Sequence, residues 1–180
     1  MTVELALDGE NARMIAPSVP VESLIVDPRA VQAANHGPFT ALAQGADWRR
    51  KLERLDALLA TVPQTDMPVT HRFSRGVYCR ELAIPKGTVL TGRIHKHSQI
   101  NILLSGDISV LTESGVKRLQ APLVFESPAG AKRAGYAHED TVWLTICGTD
   151  TTDPDVLEDE LTTRSYAEYD AWCAGLIEGD

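Results

Sequence analysis

Cysteine is scarce in this chain of 180 residues: Cys79, Cys147 and Cys173 are far apart and outside any CxxC arrangement. That argues against a zinc ribbon or a disulfide framework and leaves reduced thiols, as in a cytosolic setting, as the expectation. Long apolar runs are missing as well. Segments such as "INILL" at residues 100–104 fall far short of the roughly 20 residues a membrane span needs. The first residues lack the basic segment and apolar block of a signal peptide, so neither a membrane nor that export route is expected. A basic face is missing too. The net charge is −8, and residues 150–180 carry −9 of it, leaving +1 for residues 1–149. Without a basic face or aromatics interleaved with arginines, nucleic acid is not an expected partner. An acidic tail could instead dock on a basic protein surface. Ser105 has no nucleophile-elbow context, and no phosphate-cradling glycine loop occurs.

What the chain does have is a change of period along its length. Residues 1–45 read as an irregular arm, with Pro17, Pro20, Pro28 and Pro38 and no sustained pattern. Residues 46–63 read as an amphipathic helix. Asp47 can cap it, Trp48, Leu52, Leu55, Leu59 and Val62 fall on one stripe, and Pro63 stops it. From residue 69 to 148 the period is two, interrupted by turn signals at "SRG", "PKG", "SGD", "ESG" and "SPAG". About seven or eight strands with no helical pattern between them predict a mainly β domain, antiparallel and closed into a sandwich or barrel. Residues 149–180 return to helix, first with Asp153 as cap and Pro154 at the opening position. Ser165 and Glu168 then form a capping box ahead of Tyr169, Trp172 and Cys173. The length suits a single core with appendages.

Within the β region, "TGRIHKHSQINILLSGD" at residues 91–107 places His95 and His97 two apart. On a strand such residues share a face about 6.6 Å apart, from a rise of about 3.3 Å per residue. Two imidazoles at that separation can converge on one ion. The same alternation puts Val89, Thr91 and Arg93 on the histidine face, and Gln99, Asn101 and Leu103 on one face of the next strand. If all point inward, Arg93, His95, His97, Asn101 and Arg133 make a pocket for a small anion such as a carboxylate or phosphate.

This stretch resembles the first motif of the cupin superfamily: a glycine, HxH, a glutamate and a closing glycine. His95 and His97 match the HxH and Gly106 the closing glycine. The glutamate position falls on Gln99 counted back from Gly106, or on Asn101 counted forward from His97, so in either register an amide replaces the carboxylate. "PAGAKR" at residues 128–133 resembles the second motif, PxGxxH, with Pro128 and Gly130 matching and Arg133 at the histidine position. A permanent +1 charge about 5 Å from a divalent ion repels it by roughly 6 to 7 kcal/mol at an effective dielectric of about 20. His138 in "GYAHEDT", near Tyr136, is the other candidate ligand.

The resemblance spans residues 70–148. The run from "IPKGTVL" to "LQAP" followed by "GYAHEDTVW" looks like small cupin-like proteins encoded by bacteriophages and prophages. It implies a single antiparallel cupin-type jelly-roll barrel, with the N-terminal arm and helix and the C-terminal helical extension outside it. Two functions are expected from this. One is a non-catalytic structural or assembly protein in a phage context, in the virion or the bacterial cytoplasm, forming homo-oligomers or binding other phage proteins through arm and tail. The other is a metal-dependent oxygenase or isomerase, holding iron, manganese, nickel or zinc through His95, His97 and either Gln99 or His138. The amide and the arginine favour the first.

Overall fold

The computed structural model describes residues 12–15, 48–112 and 115–178. The remainder of the arm, and Asp47 as helix cap, lie outside the described residues. Strand β1 (Ala12–Ile15) pairs antiparallel with β2 (Gln64–Met67) in a two-stranded ribbon. Helix α1 (Trp48–Leu59) falls within the predicted segment and buries Leu52, Leu55 and Leu59, the stripe that its sequence spacing sets on one side.

Ten strands follow: β3 (Val69–Ser74), β4 (Val77–Ile84), β5 (Val89–Thr91), β6 (Ile94–His95), β7 (Gln99–Ser105), β8 (Asp107–Thr112), β9 (Gly115–Gln120), β10 (Leu123–Ser127), β11 (Ala134–Ala137) and β12 (Thr141–Gly148). One sheet runs β10-β7-β12-β4-β3 and the other β5-β11-β8-β9, with antiparallel pairs throughout. Period-two sequences bury alternate side chains, so Leu82, Ile84 and Leu103 of the first sheet meet Leu90, Ile108 and Val110 of the second. The predicted antiparallel β architecture of jelly-roll type, with helices outside it, is the one observed. All five turn signals contain a glycine of positive φ: Gly76, Gly87, Gly106, Gly115 and Gly130.

The second sheet's other face meets α1, where Val89, Leu111 and Ala134 cover the leucine stripe. Beyond the strands come α2 (Pro154–Leu161), β13 (Thr162–Thr163) and α3 (Tyr166–Glu178). The caps form as expected: Asp155 N donates to Asp153 Oδ1 (3.0 Å) and Glu168 N to Ser165 Oγ (3.2 Å), while Glu168 Oε2 accepts from Arg164 N (2.8 Å).

This extension was expected to reach neighbouring subunits; its Leu157, Leu161 and Tyr166 are buried against the same chain, while Val156 is 51% exposed. Leu157 and Leu161 close over Tyr78 and Cys147, inward residues left uncovered at one end of the sheet. Then β13 pairs with β6, His95 opposite Thr162 and Ile94 opposite Thr163. Tyr166 meets the edge of Trp48 with ring centroids 6.5 Å apart, so the two flanking helical segments touch. Among the described residues no helix is long and apolar enough to cross a membrane.

Candidate functional site

The alternation expected through residues 89–97 breaks at Gly92. β5 ends at Thr91 and β6 holds only Ile94 and His95. Gly92 is instead gripped by the "PAGAKR" turn: its N–H donates to Arg133 O (2.9 Å) and its carbonyl accepts from Lys132 Nζ (2.9 Å). The chain then changes partner, from β11 to β13. As a result the five residues predicted on one face do not stay together. His95 and Arg93 both line the interior, Arg93 in a buried ion pair with Glu158 of α2. His97 lies outside, exposed, with Trp172 5.4 Å away edge-on.

A cavity of about 70 Å³ lies between the sheets. Along the strands its wall passes from polar to apolar: Arg133, His95, Gln99 and Asn101 give way to Leu82, Ile84 and Trp143. Asn101 is fully engaged in that wall. Trp143 Nε1, which can only donate, bonds to Asn101 Oδ1 (3.0 Å), and Thr145 Oγ1 donates to the same oxygen (3.3 Å). This orients the amide, so Nδ2 donates to Ser127 Oγ (2.6 Å). Arg133 Nη1 donates to that same hydroxyl oxygen (2.6 Å) and its guanidinium lies 5.9 Å from the Phe125 ring. Among the described residues no carboxylate pairs with Arg133, neither Glu126 nor Glu139 included.

Burial first, then the charges of Arg80 and Arg133, push the His95 imidazole down to about 3, so the ring is neutral at physiological pH. Burial also draws Arg133 below the usual arginine range. A histidine with a depressed native pKa binds its proton more readily when unfolded. Stability is therefore unaffected at neutral pH and falls as the pH drops below 6.5, by about 1.4 kcal/mol per pH unit down towards the native value. We expect a His95→Gln variant to lose much of this slope in urea unfolding between about pH 6.5 and 5. His138 is also pushed down, mainly by burial, so some slope persists. An unchanged slope would mean that His95 is hydrated enough to titrate normally.

The remaining candidates are not at the cavity. Tyr136 faces α1 among the residues of that outer cluster. His138 Nε2 is 2.7 Å from Ser109 Oγ and its ring centroid 4.8 Å from that of Tyr136. Strand β11 is thus turned so that this predicted ligand and pocket residue face away from His95. Gln99 does line the cavity, and its Oε1 accepts from Cys147 Sγ (3.8 Å), a thiol that burial pushes up to about 11. Among the described residues no three His, Cys, Asp or Glu side chains gather as a metal set. One imidazole and one amide beside a guanidinium supply neither the negative charge nor the ligand count that a divalent ion needs, so these residues do not fit one.

Sequence reasoning missed Arg80, buried and close enough to influence His95. The signal was present in "VYCRELAI", where alternation sets Arg80 on the inward face with Tyr78, Leu82 and Ile84. Ser127 was missed as well, although it is the hydroxyl joining Arg133 to Asn101.

No family model and no curated protein sequence matches the chain. Among solved structures it is similar to ethanolamine utilization protein Q from Salmonella typhimurium, at 12% identity and a TM-score of 0.42, over 48% of this chain and 72% of that one. It is similar to KdgF from a Halomonas species at 18% identity and a TM-score of 0.42, over 48% of this chain and 82% of that one. A cupin superfamily protein from Desulfitobacterium hafniense gives 15% identity and a TM-score of 0.42, over 48% and 80%.

Proposed function

We propose that the protein is a non-catalytic assembly module, a cupin-type barrel without a metal centre that pairs with a second copy of itself in a bacteriophage or prophage context. The observation that carries this reading is the outer face of the β10-β7-β12-β4 sheet. Val124, Leu104 and Ile100 are 64%, 55% and 42% exposed. The strand registers set Ile102 between Val124 and Leu144, and Ile146 beside Ile100, so the apolar side chains adjoin. Four strands about 4.8 Å apart and about seven residues long span roughly 450 Å² of sheet. The exposed apolar side chains occupy part of that area, within the patch size that monomers commonly show at functional surfaces.

Charge favours a second copy as the occupant. Overall the chain carries −8 and repels its like, but on this face Glu81 is already paired with Arg72 at 2.7 Å. Glu126, opposite Ile100 on β10, adds one exposed carboxylate to this face, so two copies meeting across a two-fold axis bring one such charge each, and a basic partner finds little acidic surface to match. The phage context rests on the likeness of residues 84–122 to phage-encoded proteins. The metal-dependent alternative retains only His95 and Gln99 of its expected ligands at the cavity.

Light scattering on the eluting protein should give the mass of a dimer, and an Ile100→Glu, Leu104→Glu variant the mass of a monomer with unchanged circular dichroism. A monomeric parent protein, or a variant that still pairs, refutes the assembly reading. Stoichiometric iron, manganese, nickel or zinc in the purified protein refutes the metal-free one.

A further inference from the structure

We infer that the cavity between the sheets is a binding site for a small organic monocarboxylate, its carboxylate held by Arg133, His95 and Gln99 and its apolar body lying against Leu82, Ile84 and Trp143. Arg133 brings a positive charge to the wall with one neutral hydroxyl, Ser127, as its hydrogen-bond acceptor among the described residues. A guanidinium has five N–H donors in a planar fork, so most of its bonding capacity is left for an acceptor in the cavity. Withdrawing such a charge from water is costly unless an anion accompanies it.

The neighbouring groups are donors of the same kind. Among the described residues the ring nitrogens of His95 have no hydrogen-bond partner, and a neutral imidazole offers one N–H. Gln99 uses its oxygen towards Cys147, which leaves its NH₂ to donate. No Asp or Glu lines the cavity.

The charge balance selects the class of anion. Arg93, the other arginine of the lining, is neutralised by Glu158. That leaves one positive charge on the wall, supplemented by the field of Arg80, which acts on His95. A single negative charge meets it. A phosphate dianion would leave surplus charge against Leu82, Ile84 and Trp143, where it has no partner. The same apolar wall covers the rest of a short aliphatic or aromatic acid, and the volume exceeds that of one water.

No bond is made or broken, and the site lies inside one barrel, independent of the assembly reading: a chain that proves monomeric still has the cavity. The test is thermal unfolding and calorimetric titration of the full chain with acetate, butyrate and benzoate, against butyramide, benzamide and inorganic phosphate. At least one carboxylate should raise the melting temperature while its amide does not. Arg133→Gln should weaken that carboxylate by about tenfold or more. Should Arg133→Gln not fold, the carboxylate-against-amide comparison on the unaltered chain decides by itself. Binding of the amide as tightly as the acid, stronger stabilisation by phosphate, or no response to any carboxylate overturns the inference.

Discussion

Replacing Lys132 with methionine is expected to lower folding stability by about 3 to 5 kcal/mol, measured by urea unfolding. Lys132 is 2% exposed; its Nζ lies 2.7 Å from Asp56 Oδ2 on α1 and donates to the carbonyl of Gly92 at 2.9 Å. Methionine fills nearly the same volume, so little of the loss comes from packing. The cost arises because Asp56 stays behind, buried, with its other oxygen already lacking a hydrogen-bond partner. If that account holds, adding Asp56→Leu to Lys132→Met should recover most of the stability, since two apolar groups can replace a buried pair at little cost. A single-variant loss under about 1 kcal/mol would show that water reaches the pair. Because the same lysine grips Gly92, the variant should also loosen the break between β5 and β6 that aims His95 inward.

The second large effect is expected at the closing glycine of the HxH stretch. Gly106 has φ +93°, and a Cβ there would stand 2.4 Å from Thr141 Oγ1, 2.6 Å from Asp140 O and 2.7 Å from Thr141 Cα. Two costs add: about 1–2 kcal/mol for an L side chain in left-handed backbone and about 1–3 kcal/mol for overpacking against atoms that cannot swing away. Gly106→Ala should therefore cost about 2 to 5 kcal/mol. Gly115 is the control, with φ +108° and nothing within 4 Å of where a Cβ would stand, so Gly115→Ala should show the backbone cost alone. Equal losses at the two sites would mean that the β12 turn yields to the methyl.

The β architecture was legible because two physical signals agreed. Alternation marked the inner and outer faces of β4, β7 and β12, and glycine marked each place where the chain had to reverse with positive φ. The site was only half legible. Gln99, Asn101 and Arg133 fell where their strands and turn put them. The prediction for His97 failed because it assumed one uninterrupted strand, whereas Gly92 ends the ladder and lets the "PAGAKR" turn take its hydrogen bonds. Tyr136 and His138 went astray for a different reason: Tyr136 on β11 and His138 just past its end can be placed inward or outward, and nothing local in "GYAHEDT" says which. The destination of the acidic extension was hidden for a third reason. Tyr78 and Cys147 look like ordinary core positions, and only the assembled sheet reveals that they are left open at its end.

That seal also sets an order of events during synthesis. His95 and Arg133 are translated well before residues 154–163, yet β6 has no sheet partner until β13 exists, and the ion pair of Arg93 with Glu158 cannot form until Glu158 has emerged. A chain released at about residue 150 would hold the strands of both sheets but lack β13 and the Arg93–Glu158 ion pair. Maturation of the cavity is in this sense a late step, timed by translation of a segment that does not line it.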